Sequence, residues 1–304
     1  MPALTAPLAG PAWLAHGGGA AEGLANVGFV VLLAALAAAY GRGVHELWDR
    51  RGTGEIVPVW RVIAFGAGVA ALVTAQSPPV HAMTERSFAG HMAQHMILMV
   101  VAGPLLAAGA AGLPLTLAAP IPLRRRLARW RASPAGRSLR RPAILAVAAA
   151  TAQTAVLWAW HLPTLYLLAL DNPGVHAAEH LSFVAAAWLL WSAVLGTGPH
   201  RLTSPAAFLL LFATMMPATA LAAVLTFAPA PLYPPPALAP TGGDPLTDQQ
   251  LAGLVMWIPM DVVVLVAGTG LFLLWLSRLD RVAPGGRHLQ PTDRSAAPAE
   301  EVTP

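Results

Sequence analysis

The sequence predicts an all-α fold: a polytopic membrane helical bundle of about seven transmembrane helices, with the N-terminus outside and the C-terminus inside. Three observations predict it. Of 304 residues, 56% are hydrophobic and only 11% are charged, against roughly 25% charged in a typical soluble domain. Seven apolar stretches approach or exceed the ~20 residues that cross a hydrocarbon core of about 30 Å. The arginines alternate between connections in the way that cytoplasmic loops collect positive charge.

In chain order the stretches run from Leu24 to Gly41, Val57 to Ser77, His91 to Gly112, Ala143 to Trp160, Ala177 to Gly196, Pro205 to Ala228 and Leu251 to Ser277. The first connection holds Arg42, Arg50 and Arg51, and the third holds eight arginines between Arg124 and Arg141. The fifth holds Arg201, and the tail adds Arg278, Arg281, Arg287 and Arg294, which makes sixteen on one side. The opposite side has only Arg86, and Arg61 falls in the first turn of the second span, where its stem can snorkel to the interface. The division is therefore an external tail over 1–23, a seven-span domain over 24–277, and a cytoplasmic tail over 278–304. That last segment is Pro, Gly and charge rich and reads as disordered.

Composition also excludes functions. The chain has no cysteine, so disulfides, iron–sulfur clusters, thiolate metal sites and Cys nucleophiles are ruled out, and any soft ligand must be Met. The net charge of +4 is carried by the topology-setting arginines and gives no reason to expect nucleic acid. The lipid bilayer is the expected surrounding.

With this topology His16, His81, His91, His95, His161, His176 and His180 fall on the outer side, and His45, His200 and His288 inside. Two pairs have i, i+4 spacing: His91 with His95 at the start of span three, and His176 with His180 at the start of span five. Each pair shares one helix face, separated by about 6 Å of rise, so both imidazoles can reach one ion. Neutral imidazole suits copper, zinc and iron. His161 ends span four and His81 precedes span three, so both are further ligand candidates.

Glu179 lies inside the HAAEH segment. His176, Glu179 and His180 also spell the H-x-x-E-H pattern of inverted zinc peptidases, but Glu179 reads better as an acceptor that orients an imidazole. Asp261 lies ten residues into span seven, near the midplane, where an ionisable side chain marks a functional candidate. Met215, Met216 and Gln153 reach similar depth, with Met99 and Met256 a little nearer the outer face, and methionines there more often fill gaps between helices.

Five stretches in this order, HMAQHMILMVVAGPLLAAG, WAWHLPTLYLLAL, HAAEHLSFVAAAWLLWSAVLG, PLYPPP and DQQLAGLVMWIP, resemble the multispan CtaG family of cytochrome c oxidase assembly factors, associated with caa-type haem-copper oxidases. The resemblance runs from about Gly54 to Leu276. It matches the family's HxxxH to His91 and His95, its W-x-H-L-P to Trp158, Trp160, His161, Leu162 and Pro163, its H-x-x-E-H to His176, Glu179 and His180, and its D-Q-Q to Asp248, Gln249 and Gln250. Asp261 departs from the pattern, which implies an uncharged residue there.

The resemblance implies a non-enzymatic, multi-pass protein of the bacterial cell membrane that helps to mature an oxidase, with copper as the metal delivered. Oxidase subunits and copper chaperones are the partners it implies. Two other classes fit the residues alone: a haem-binding membrane electron carrier with axial His pairs, and an ion-coupled transporter with Asp261 as carrier.

Overall fold

Proline opens many of the helices, at the first-turn position where its missing N–H costs nothing. The computed structural model describes residues 20–197, 202–238 and 243–282. Most of the two expected tails therefore lies outside the described residues, as do His16, His200, Arg201, Arg287, His288 and Arg294. The described residues form helices and no strand.

The first helix, α1, spans Ala20–Arg51, followed by α2 (Val59–Ala75) and α3 (Pro78–Thr84). The third span begins as α4 (Phe88–Met96), widens into a π-helical segment (Ile97–Ala102), and ends as α5 (Gly103–Ala108). The widened turn stands directly before Pro104, which has no N–H to offer the carbonyl four residues back. After α6 (Gly112–Ala118), α7 (Ile121–Ala132) and α8 (Pro134–Leu139) come α9 (Pro142–Trp160), α10 (Pro163–Asp171), α11 (Pro173–Leu195), α12 (Ser204–Phe227), α13 (Pro235–Leu238) and α14 (Pro245–Val282).

Among the described residues six helices are long and apolar enough to cross a membrane: Val27–Arg51, Phe88–Ala108, Pro142–Trp160, Pro173–Leu195, Ser204–Phe227 and Pro245–Leu279. A seventh crossing is made if α2 and α3 count as one span, bent by 52°. All seven expected stretches are thus helical, but the second is broken. The break falls just before Pro78 and Pro79, and the residue preceding a proline is pushed out of helical geometry. The third connection, expected as a link, is itself helical: α7 carries Arg124, Arg125, Arg126, Arg129 and Arg131. Arg61 donates from Nη1 to the Ala108 carbonyl at 2.9 Å, so it closes the end of α5 as well as standing near the interface.

Span Phe88–Ala108 is the most enclosed of the six. One side of it meets α2 and α1 through a core that includes Leu72, Leu98, Leu106 and the stacked rings of Tyr40 and Phe65, 3.8 Å apart. The other side meets α9, α11, α12 and α14 through Met92, Phe183, Leu211, Leu225 and Met256. Small residues allow the approach: a Cβ on Gly103 would stand 2.6 Å from the Ala187 Cβ of α11. Outward-facing side chains such as Leu265, Val266 and Leu273 on α14 are apolar and exposed, as a lipid-facing surface requires.

Candidate metal centre

Two helix starts set the histidines at matching heights. Ser87 caps α4, its Oγ accepting from Gly90 N at 2.9 Å, and Asn172 caps α11, its Oδ1 accepting from Gly174 N at 2.9 Å and Val175 N at 3.2 Å. Counting from either cap, the first histidine is the fourth helical residue and the second is the eighth. The pairs therefore meet ring to ring. Centroids lie 5.5 Å apart for His91 and His176 and 5.3 Å for His95 and His180, with 4.4 Å and 4.2 Å within the pairs.

One ligand atom each from His91, His95, His176 and Glu179 lies within 4.8 Å of the other three. Ligands at about 2.0–2.1 Å from a metal are at most ~4.2 Å apart, so small side-chain shifts would close this group around an ion. Glu179 Oε1 stands 3.6 Å from His95 Nε2, and both side chains are essentially fully buried. The carboxylate thus stands level with the imidazoles. The peptidase-like grouping of His176, Glu179 and His180 is not the one that gathers: His180 lies beside it, with its Nδ1 2.9 Å from Gln76 Nε2 at the end of α2.

Water-shielded polar atoms nearly always have a hydrogen-bond partner. Here His91 Nε2, both nitrogens of His95, His176 Nε2, His180 Nε2 and Glu179 Oε2 are buried without one. A buried carboxylate with no compensating cation or donor is costly. Three imidazoles and a carboxylate turned toward one point form a donor set for a borderline transition-metal ion.

The other expected residues fall differently. His161 caps the end of α9, its Nδ1 2.7 Å from Leu157 O and its Nε2 3.3 Å from Met92 Sδ, so it stands beside the four-residue group and not within it. His81 does not join. The bend before Pro78 carries it onto α3, where it is part-exposed and 3.4 Å from Glu85. Asp261 is far from this layer: its carboxylate accepts from Thr219 Oγ1 at 3.1 Å and from Trp257 Nε1 at 2.8 Å.

Several residues that frame the site were not singled out from the sequence. Gln94, between the two histidines of α4, donates to Ala75 O at 2.7 Å and ties the site to the break in span two. Its position as an amide inside an apolar stretch is a signal that would have found it. Tyr166 on α10, Tyr233 of the PLYPPP segment and Phe88 pack mutually at 5.1 Å, and Tyr166 meets His91 at 5.5 Å. Tyr233 donates its hydroxyl to His161 O at 2.8 Å, and burial pushes its phenol above the usual range, which keeps it a neutral donor.

The D-Q-Q segment acts as structure. Asp248 accepts from Phe88 N at 2.7 Å and Ala89 N at 3.3 Å, closing the start of α4. Gln249 accepts from Leu232 N at 2.7 Å and donates to Leu225 O at 3.2 Å.

A family model described as cytochrome c oxidase caa3 assembly factor (Caa3_CtaG) matches residues 38–278. The match begins within α1 and so takes in its C-terminal part, which the sequence resemblance had left out. No curated protein and no solved structure matches the chain.

Proposed function

The chain belongs to the cytochrome c oxidase caa3 assembly factor family, and we propose that its work there is to bind copper as cargo at the outer histidine and Glu179 cluster and pass it to an oxidase subunit. The observation that carries this reading is the set of buried, partnerless donor atoms on His91, His95, His176 and Glu179. A cation at their centre would satisfy them together. Among divalent first-row ions, copper is held most strongly by such nitrogen and oxygen ligands. The protein acts in this reading as a carrier and not as a catalyst, multi-pass in the bacterial plasma membrane, with copper chaperones as its suppliers.

The arginine distribution supports an outside N-terminus and an inside C-terminus. Reporter fusions should then place Asp171 outside and Ser133 inside. A haem reading is less favoured, because four rings with centroids 4.2–5.5 Å apart would have to be parted to admit a macrocycle. Elemental analysis of the purified protein beside a variant with His91, His95, His176 and His180 all changed to Ala tests the proposal. Less copper in the second than in the first, by the share that this cluster holds, is expected; a Soret band, or equal metal in both, overturns it.

A further inference from the structure

His161 and Met92 meet at van der Waals distance, in a pairing of polar atoms that no hydrogen bond accounts for. The Leu157 carbonyl can only accept, so the His161 Nδ1 that lies 2.7 Å from it carries the ring proton. The other nitrogen of the neutral ring, Nε2, then presents a lone pair, and 3.3 Å away is the thioether sulfur of Met92, also an electron-pair donor. Two donors face each other with no proton between them, and both residues are buried. A separation of 3.3 Å corresponds to roughly 100° at a shared ion, with metal–nitrogen and metal–sulfur bonds of about 2.0 and 2.3 Å.

We propose that His161 and Met92 form a second, softer metal station that takes Cu(I), separate from the His91, His95, His176 and Glu179 group. The proposal rests on the reading of the chain as a copper carrier and adds a site of different chemistry to it. Three imidazoles and a carboxylate suit divalent ions, whereas a thioether selects Cu(I). With only two protein ligands the station holds its ion weakly and leaves coordination positions open, which suits transfer better than storage.

The surroundings fit this use. Tyr233 fixes the His161 backbone, and Met92 follows His91 directly in α4. Met92, Met96 and Met99 repeat at i, i+4 and i+7, about 10 Å of rise along one helix face. At the inner end Gln153 Nε2 donates to Met99 Sδ at 3.6 Å. Gln153 Oε1, buried and without a partner, belongs to a residue lining a cavity of about 40 Å³ shared with Met215 and Met260. Thioethers thus continue inward from the proposed station.

Purified wild-type protein, Met92→Leu and His176→Ala are titrated with Cu(I) against a chelating competitor and, separately, with Zn(II). Leu conserves volume in the core, so Met92→Leu should fold. It is expected to lose one Cu(I) equivalent, or at least tenfold in Cu(I) affinity, with Zn(II) binding unchanged. His176→Ala should show the reverse preference. X-ray absorption of the Cu(I)-loaded wild type should show a sulfur neighbour at about 2.3 Å that Met92→Leu lacks. Unchanged Cu(I) binding in Met92→Leu, or no sulfur neighbour in the wild type, overturns the second station while leaving the histidine and Glu179 site standing. Loss of Cu(I) in Met92→Leu with no loss of either ion in His176→Ala supports the station and overturns the larger cluster as a copper site. Binding of neither ion by the wild type overturns both.

Discussion

Around Asp261 the carboxylate accepts hydrogen bonds from the Thr219 hydroxyl on α12 and from the Trp257 indole one turn earlier on α14. In the histidine layer Glu179 leaves Oε2 without a partner, and each of the four paired histidines leaves at least one ring nitrogen likewise. Both regions hold ionisable groups among apolar helices, Asp261 half-buried and Glu179 fully buried, yet only the first completes its own hydrogen bonding. A satisfied buried polar group is a structural member, and an unsatisfied cluster has its donor atoms reserved for something the protein itself does not supply. By this contrast Asp261 joins α12 to α14, and the histidine layer is the proposed place for a ligand. The same contrast weakens the transporter reading, since an ion-carrying Asp261 would have to release two donors first.

The comparison can be tested at graded cost. The largest effect is expected from the double variants His91→Ala with His95→Ala and His176→Ala with His180→Ala. Each should remove about nine-tenths or more of the Cu(II) held by this cluster, the Met92 and His161 station aside, and combining them should add little, because ligands of one constellation are not additive. Copper lost in equal halves, measured by elemental analysis, would instead mean two independent sites.

Next is Glu179→Gln, which keeps the shape and removes the anionic ligand. Copper affinity should fall roughly 10- to 100-fold, the scale seen when groups that support a metal site are changed. The melting temperature of the metal-free protein should hold or rise, because an uncompensated buried carboxylate has been removed. A drop in metal-free stability would show that Glu179 has a structural partner after all.

Asp261→Asn should behave in the opposite way: copper stoichiometry unchanged, and stability in detergent lower by about 1 kcal/mol as charge-assisted hydrogen bonds become neutral ones. Loss of copper in this variant would break the contrast outright. The smallest effect is expected from His81→Ala, which removes only a part-exposed pairing with Glu85 and should leave both copper content and melting temperature within error.

Much of the architecture was legible because each span carries its own signal. Hydropathy found all seven stretches, and i, i+4 spacing found both histidine pairs. What one segment cannot encode is its lateral neighbour. Nothing in HAAEH tells Glu179 to stand beside His95 rather than to orient His176, and nothing in the second stretch places Gln76 against His180. His81 stands outside the four-residue group for a local reason that was in view: the Pro78–Pro79 pair bends the chain by 52° and puts it on a separate short helix. The helix α7 was also readable, since IPLRRRLARWRA is rich in Arg, Leu and Ala, all strong helix formers. Its charge led it to be read as a connection only. The Met92 and His161 contact was hidden because it joins residues 69 apart in sequence.

The cap that Asp248 places on α4 spans 160 residues of sequence, and that has a consequence for how the protein is made. The histidines of α4 leave the ribosome early, those of α11 later, and Asp248 with the last helix. Until that helix is inserted, the first turn of α4 has bare N–H groups and α14 is not packed against it. The histidine layer is therefore finished last, by the final span to enter the bilayer. A truncated or half-inserted chain carries most of the proposed ligands but not the frame that aligns them, so it makes a poor trap for the proposed cargo.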